Sequence, residues 1–588
     1  MNTNFRKSVL AGWAALVALA CFAYVVQSTP RLGPRTYEAP TTKKSEASTG
    51  SDSGAHFSWA DVIPSDNLKW VDCYLEHQCA RLNMPLNYSE PDGEKAVIAM
   101  TRYPAAVPAD SPLYRGPVLF NPGGPGGSGV TFIALAGSAL AQIVGPQFDV
   151  IGFDPRGVAH STPRVSLFET DVERVLWDDA VPRELNASED GVARAWARAQ
   201  INGRLAAERA GEYLPHVNTE NTARDMLRIV EAHGMEKLQY WGISYGSVLG
   251  AVFATLFPDK VERIVIDGVV DAENYFDTLW SHNLFDTDRA LQAFFDGCVA
   301  AGPAGCAFYA PTAEAISQNL TTLYESIRAR PTPVHTGSGY GLVDFSFLRA
   351  LVFSALYWPL TLFSPLADIL AGLAREDGAP IFELFPQPPF QCSCDPAEHQ
   401  FDAVPDATVA IICNDGRTVP SDFGDIEQYY AGMTKTSSWG SMLASVRIAC
   451  SGWPDFPKKH FQGPVGANTS IPMLIIGNTA DPITPLWAQV DAAEKTAKAF
   501  PGSVVLTQDC PGHTSLAAPS PCTWGHIREY FRSGTLPAAD TVCPVIGSPF
   551  PDGDLLPHAQ TVLSATERRV FDAFTTMQWN GWLRKFIL

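Results

Sequence analysis

Basic charge is scarce in this 588-residue chain. Its 42 Lys and Arg stand against 62 Asp and Glu, a formal net charge of −20, and that balance argues against nucleic acid or an anionic membrane surface as a partner. Metal-binding spacing is missing too. No Cys-x-x-Cys pair and no matched histidine spacing occurs, so the cysteines read as disulfide formers rather than zinc ligands. The glycine-rich run at residues 121–129 lacks the Gly-Lys-[Ser/Thr] ending of a phosphate cradle, which argues against nucleotide binding there. Apolar residues are not in short supply: at 46% hydrophobic the chain can bury a large core, as one large domain with a sizeable insertion or as two domains.

The N-terminal segment stands apart from that core. Residues 9–26 are uncharged and mostly apolar behind Arg6 and Lys7, long for the hydrophobic region of a signal peptide and just long enough to span a bilayer. Ala18 and Ala20 also offer a small-residue cleavage site. Residues 1–27 are therefore expected to be a signal anchor or a cleaved signal peptide. Either delivers the rest of the chain to the secretory lumen, as a membrane-anchored ectodomain or a secreted one. Residues 28–55, rich in Ser, Thr, Pro, Gly and Lys, read as a flexible stalk. Of 12 cysteines all but Cys21 lie beyond it, several closely spaced, as are Cys73 with Cys79, Cys298 with Cys306 and Cys392 with Cys394. Their odd number predicts one free thiol, and the pairing stays open. Glycosylation-type patterns at Asn87, Asn186, Asn319 and Asn468 fit the same compartment.

Chemistry enters at residues 238–250, where a short apolar run reaches Gly242, Ser244 and Gly246 in a Gly-x-Ser-x-Gly pattern and continues as a helix-like segment. A serine hydroxyl attacks only when it projects clear of the sheet on a strained strand-to-helix turn, and flanking glycines let backbone pack against that turn. Residues 221–233, with Ala223, Met226, Leu227 and Val230 on one face, predict the preceding helix, and Gly234 its stop. That context makes Ser244 a candidate nucleophile rather than a serine at an ordinary turn.

Strands are predicted at residues 80–86, 95–103 and 117–120, the last running into the Asn-Pro-Gly-Gly-Pro-Gly-Gly-Ser-Gly loop. A glycine-rich loop there can present backbone N–H groups to an anion. In acyl transfer the anion is the oxygen of the tetrahedral intermediate, and the second donor is the N–H after the nucleophile. This assigns an oxyanion hole to Gly124, within one position, and Tyr245. Residues 148–153 predict a strand ending in a turn at Asp154 to Gly157 that reads as structural. Residues 261–266, 472–477 and 503–507 predict three more strands, the last two leading to Asp481 and His513. Serine at its own pKa needs a base within reach and a buried carboxylate to fix and stabilise the imidazolium, and the chain order Ser, Asp, His supplies both. His526 in a helix-like segment and His558 in a Pro-rich tail are the alternative bases, and Asp267 after the 261–266 strand is the rival acid. Between residues 271 and 460 the alternation lapses into aromatic-rich, helix-like sequence interrupted by Pro-rich residues 385–390, read as an inserted lid. Tyr275, Phe276, Trp280, Phe294 and Phe295 read mainly as that lid's own core. Ser564 and Glu567 form a capping box ahead of Val570, Phe574 and Met577 and predict an amphipathic tail helix.

Several of these motifs stand in register with a known family. The Gly-x-Ser-Tyr-Gly after Tyr240 and Trp241, the glycine-rich loop, Asp154-Pro-Arg-Gly, Phe257-Pro-Asp-Lys-Val-Glu-Arg, Asp267-Gly-Val-Val-Asp and Asp481-Pro-Ile-Thr-Pro together resemble the secreted tripeptidyl aminopeptidase branch of the proline iminopeptidase-like serine peptidases, over residues 70–543. The resemblance implies an α/β-hydrolase fold, a mostly parallel doubly wound sheet with an inserted helical cap. The core would take residues 56–270 and 461–545, the cap 271–460, and a tail 546–588. It also implies Ser244, Asp481 and His513 as the triad of a serine exopeptidase that releases short peptides or residues from substrates with free N-termini. No metal or organic cofactor is implied. Two positions depart from the pattern: Pro122 replaces the histidine of the proline iminopeptidase loop, which counts against single-proline release, and Ala159 and His160 replace a glycine and a basic residue, which touches packing. The alternatives are a carboxylesterase or lipase, because the same triad cleaves esters and the cap decides, and an inactive binding ectodomain, which would have lost a triad member. An aminopeptidase must also pair the substrate's ammonium group with a carboxylate in the cap.

Overall fold

In the computed structural model of the chain, residues 57–178, 184–337, 339–384, 404–486, 492–550 and 563–577 are described. The predicted anchor, the stalk, residues 385–390, Cys392, Cys394 and His558 lie outside them. Ten strands form one sheet: β1 (Val71–Asp72), β2 (Gln78–Pro85), β3 (Lys95–Tyr103), β4 (Pro117–Asn121), β5 (Asp149–Phe153), β6 (Leu238–Ile243), β7 (Val261–Asp267), β10 (Leu474–Ala480), β11 (Val504–Pro511) and β12 (Val542–Pro544). Two more, β8 (Thr332–Thr336) and β9 (Gly339–Val343), pair only with each other. The sheet order is β1-β2-β3-β5-β4-β6-β7-β10-β11-β12. Pairing is antiparallel from β1 to β5 and parallel from β5 onward.

Strands β4, β5 and β6 are mostly apolar and buried at every residue, as strands are when helices cover both faces of a parallel sheet. The Gly129–Val144 helix packs with Pro521–Ser533 and with the tail helix Ala565–Met577, and Thr219–Ala232 packs with Tyr245–Leu256. The tail helix starts on the predicted capping box: Glu567 N–H donates to Ser564 Oγ at 3.3 Å, and Ser564 N–H to Glu567 Oε2 at 2.8 Å. The chain reverses its direction of travel across the sheet at β4, between β5 and β6, so the carboxyl ends of β4 and β6 open onto the crevice where such sheets bind ligands.

The turn at Asp154 is structural, as read. Asp154 accepts Ser128 Oγ at 2.6 Å and Val130 N–H at 3.1 Å, which seats the helix that follows the glycine-rich loop. Arg156 forms a buried two-pronged pair with Asp225, at 2.8 and 2.6 Å. This planar match ties β5's exit to the Thr219–Ala232 helix.

The segment between β7 and β10 is mostly helical, from Ala272–Phe276 to Gly440–Cys450, and Tyr275, Phe276, Trp280, Phe294 and Phe295 are all buried within it. The β8–β9 hairpin is a difference from the all-helical reading. Its strands hold five residues each, with a proline in one and two glycines in the other, which mutes the alternation that marks a strand and is tolerated where pairing runs on one side only. Four disulfides close among the described residues, Cys73–Cys79, Cys298–Cys306, Cys413–Cys450 and Cys522–Cys543, and Cys510 is a buried free thiol. Among the described residues no helix is long and apolar enough to cross a membrane.

Candidate active site

Ser244 follows β6 directly and carries φ 58° and ψ −122°, a conformation that glycine adopts freely and other residues only at a cost of about 1–3 kcal/mol. The turn is held from beneath. Ser244 N–H donates to the Asp267 carbonyl at 2.8 Å, Ser247 N–H to the Ser244 carbonyl at 2.7 Å, and a Cβ on Gly242 would sit 2.2 Å from the Gly246 carbonyl oxygen. Glycine at 242 is thus required by contact between the arriving strand and the departing helix, and at 246 by β4, whose Asn121 carbonyl oxygen would stand 2.8 Å from a Cβ there.

The glycine-rich loop lies against this elbow. A Cβ on Gly123 (φ 93°) would meet Ser244 Cβ at 2.8 Å and Tyr245 N at 3.1 Å. Gly123 N–H is spent on Asn121 Oδ1 at 3.0 Å, whereas no protein acceptor for Gly124 N–H is found among the described residues. Tyr245 opens the Tyr245–Leu256 helix, so its N–H has no carbonyl one turn back to bond. Tyr245 N–H and, one residue on from the Gly123 that abuts Ser244, Gly124 N–H are therefore the candidate backbone donors of this turn.

The candidate acid and base meet each other. His513 Nδ1 lies 2.9 Å from Asp481 Oδ2 and 3.0 Å from Oδ1. Asp481 is fully buried and also accepts the N–H groups of Ile483 (3.0 Å), Thr484 (2.8 Å) and Thr514 (3.0 Å). Burial alone would push its carboxyl up, but the His513 imidazole and these backbone donors hold it below the ordinary value. The His513 ring packs edge-on to Tyr357 at 5.0 Å, and the His513 backbone N–H donates to the Tyr357 carbonyl at 3.0 Å, so the insertion touches the candidate base directly. His526 sits within the Pro521–Ser533 helix, and the imidazole bonded to Asp481 among the described residues is that of His513.

Asp267 is buried but does not bond His513. Its carboxylate takes Ser515 N–H at 2.8 Å, Ser515 Oγ at 2.5 Å and Trp241 Nε1 at 3.3 Å, while its own carbonyl holds Ser244 N–H. It links the strand under the serine to the loop of the histidine. Burial pushes this carboxyl up to about 6, against the hydrogen bonds from Ser515 and Trp241. A raised carboxyl contributes stability that is present below its unfolded value and fades as pH rises through the folded one. The expected result is that wild type loses on the order of 2–3 kcal/mol between pH 4 and 7 relative to Asp267→Asn, read from urea unfolding of both proteins across that range. Parallel pH profiles for the two would refute it.

Sequence reasoning missed the side chains that aim this loop. Thr484 Oγ1 lies 3.2 Å from His513 Nδ1. Asn478 Nδ2 holds the carbonyls of Gly512 and Thr514 at 2.8 and 2.6 Å, and Gln508 Nε2 holds that of Ser515 at 3.1 Å. Thr514 is thereby kept at φ 64°, rare for a β-branched residue. Only Thr484 carried a signal, three residues past Asp481 within a quoted motif. Asn478 and Gln508 act on backbone atoms whose position no local pattern encodes.

Comparison with known proteins adds to this geometry. The profile described as "alpha/beta hydrolase fold" matches residues 116–363, and that described as "TAP-like protein" matches 435–543. The tripeptidyl aminopeptidase of Streptomyces coelicolor is 29% identical over 503 residues, covering 82% of this chain and 87% of that protein. The serine protease Hip1 of Mycobacterium tuberculosis is 30% identical over 478 residues, covering 79% and 87%. Carboxylesterase B of the same organism is 29% identical over 480 residues, covering 79% and 86%.

Proposed function

As the chain belongs to the α/β-hydrolase serine peptidases that include tripeptidyl aminopeptidases and Hip1, we propose that Ser244, His513 and Asp481 are its catalytic triad and that it releases short peptides, tripeptides foremost, from free N-termini. The observation that carries the triad is the His513–Asp481 contact past the carboxyl ends of β10 and β11, tied to the strained Ser244 turn through Asp267, whose carbonyl takes Ser244 N–H and whose carboxylate takes Ser515 N–H. Asp481 holds Nδ1–H, which leaves Nε2 as the acceptor of the serine proton. Ser244 Oγ attacks the scissile carbonyl as His513 takes its proton. The oxygen that becomes negative is met by Gly124 and Tyr245 N–H, and His513 returns the proton to the leaving amine. Water, activated by the same imidazole, then hydrolyses the acyl-enzyme. The helical insertion, residues 271–460, acts as the cap that selects the peptide, and it contributes Tyr357 to the base.

We infer delivery to an oxidising compartment, supported by the four disulfides. An N-terminal membrane anchor and N-glycosylation belong to the same reading, and no metal or organic cofactor enters it.

The test is hydrolysis of a free-amine tripeptide anilide beside its N-acetylated twin and a short p-nitrophenyl ester. The expected result is cleavage of the free-amine peptide with the acetylated one at least about a hundredfold slower, since removing the ammonium group strands the carboxylate that receives it. Ester cleavage with both peptides untouched would favour the carboxylesterase reading, to which the similarity to carboxylesterase B lends its weight.

A further inference from the structure

One face of one helix of the insertion reaches both sides of the oxyanion hole. In the Val404–Asp415 helix, Thr408 and Asp415 are seven residues apart, two turns, and so share a face. Thr408 Oγ1 donates to the Pro125 carbonyl at 2.5 Å, the residue after Gly124. A Cβ on Gly126 would stand 2.6 Å from the same hydroxyl oxygen, so the helix lies directly on the glycine-rich loop. At the other end Asp415, fully buried, accepts Thr219 N–H on Oδ1 at 2.7 Å, and Thr219 Oγ1 and Tyr275 OH on Oδ2 at 2.5 and 2.7 Å. With the Thr219 proton committed to Asp415, the Thr219 oxygen accepts from the Tyr245 hydroxyl. The relay Tyr245, Thr219, Asp415 thus anchors the side chain of the residue whose N–H is the second donor.

This helix is itself fixed. Lys458 Nζ donates to the Cys413 and Gly416 carbonyls, His460 Nε2 contacts that of Asn414 at 2.8 Å, Gln462 Nε2 holds that of Asp415 at 2.9 Å, and Cys413 is bridged to Cys450. Its last turn is therefore satisfied and braced, as a rigid reference for something else must be.

We propose that the Val404–Asp415 helix is the positioning element of the oxyanion hole, with Thr408 setting the Gly124 donor through Pro125 and Asp415 setting the Tyr245 donor through Thr219. This rests on Ser244 being the nucleophile. Both residues act through others and touch no substrate atom. Displacing a donor from its aim weakens the transition state and leaves ground-state binding alone.

The experiment uses the full chain with Thr408→Val, Thr408→Ser and Thr219→Val. It measures kcat per serine titrated by an organophosphonate, KM for the tripeptide anilide, and inhibition by a peptide aldehyde, whose hemiacetal oxygen occupies the hole, against inhibition by the product tripeptide. Both valine variants should lose about tenfold in kcat and in aldehyde affinity, with KM and product affinity within about twofold, and Thr408→Ser should stay within about twofold of wild type. If kcat per titrated serine and aldehyde affinity are unchanged in both valine variants, the proposal is wrong even if their Tm falls. Since Thr219→Val alters the far end of the helix's reach, it decides the matter should Thr408→Val not fold. Ser244→Ala separates the layers: a variant that still turns over overturns the serine mechanism itself, whereas a dead one beside unaffected valine variants overturns only the role of this helix.

Discussion

Ser244→Ala is expected to lower kcat for the tripeptide anilide by about a millionfold, leaving only what substrate binding and the two backbone donors supply. Retention of more than about a thousandth of wild-type turnover would remove Ser244 from the role of nucleophile. The backbone makes a second, opposite effect readable at the same position. Alanine inherits the φ of 58° and its strain, so Ser244→Ala should unfold in urea close to wild type. Ser244→Gly is equally inactive but relieves the turn. Against a strain of about 1–3 kcal/mol, glycine's larger freedom in the unfolded chain takes back about 0.5–1 kcal/mol, so a net gain of about 1 kcal/mol is expected. An inactive protein more stable than its parent would show that the serine is held in a costly conformation for chemistry. A glycine variant no more stable than the alanine one would mean the turn stores nothing.

The second large effect is at the acid. Asp481→Asn should lower kcat by about ten-thousandfold, by a route visible in its partners. Oδ2 takes Thr514 N–H and His513 Nδ1, and Oδ1 takes Ile483 and Thr484 N–H. An amide nitrogen at the Oδ2 position donates to Nδ1 and forces the proton onto Nε2, where the base must be free. Turned the other way, it faces two backbone N–H groups. Either orientation leaves a buried donor unmet, at a cost of about 1–3 kcal/mol in urea unfolding. Because the native carboxyl lies below its ordinary value of 3.8, wild type holds this contribution above about pH 4 and loses it as pH falls further, the opposite window from Asp267. Full turnover in Asp481→Asn with a dead Asp267→Asn would hand the role of acid to Asp267.

Much of this site was legible because it sits where strands end. The Gly-x-Ser-x-Gly turn, the glycine-rich loop, and the loops of Asp481 and His513 each follow an apolar run, and period and punctuation locate such junctions. The strand at 95–103 lies as read, and β11 runs past 507 to Pro511, because Cys510 and Pro511 extend along β10 where sequence sees only a turn. What stayed dark was cross-chain recognition. Asp415 and Thr219 meet from 196 residues apart, and Asn478 grips the backbone of a loop on the next strand. Such contacts depend on where helices land on the sheet, which no local window encodes. The choice between Asp481 and Asp267 was of the same kind: both follow strands, and only their partners separate them.

The insertion between β7 and β10 also orders events in time. In the sheet, β7 pairs with β10 and β10 with β11, so the carboxylate and imidazole proposed to arm Ser244 follow strands synthesised long after β6. A chain under synthesis carries Ser244 long before His513. Until β10 and β11 have been made, the proposed triad is incomplete and Ser244 has no base. The order of strands thus keeps the proposed nucleophile unarmed until the sheet is nearly whole.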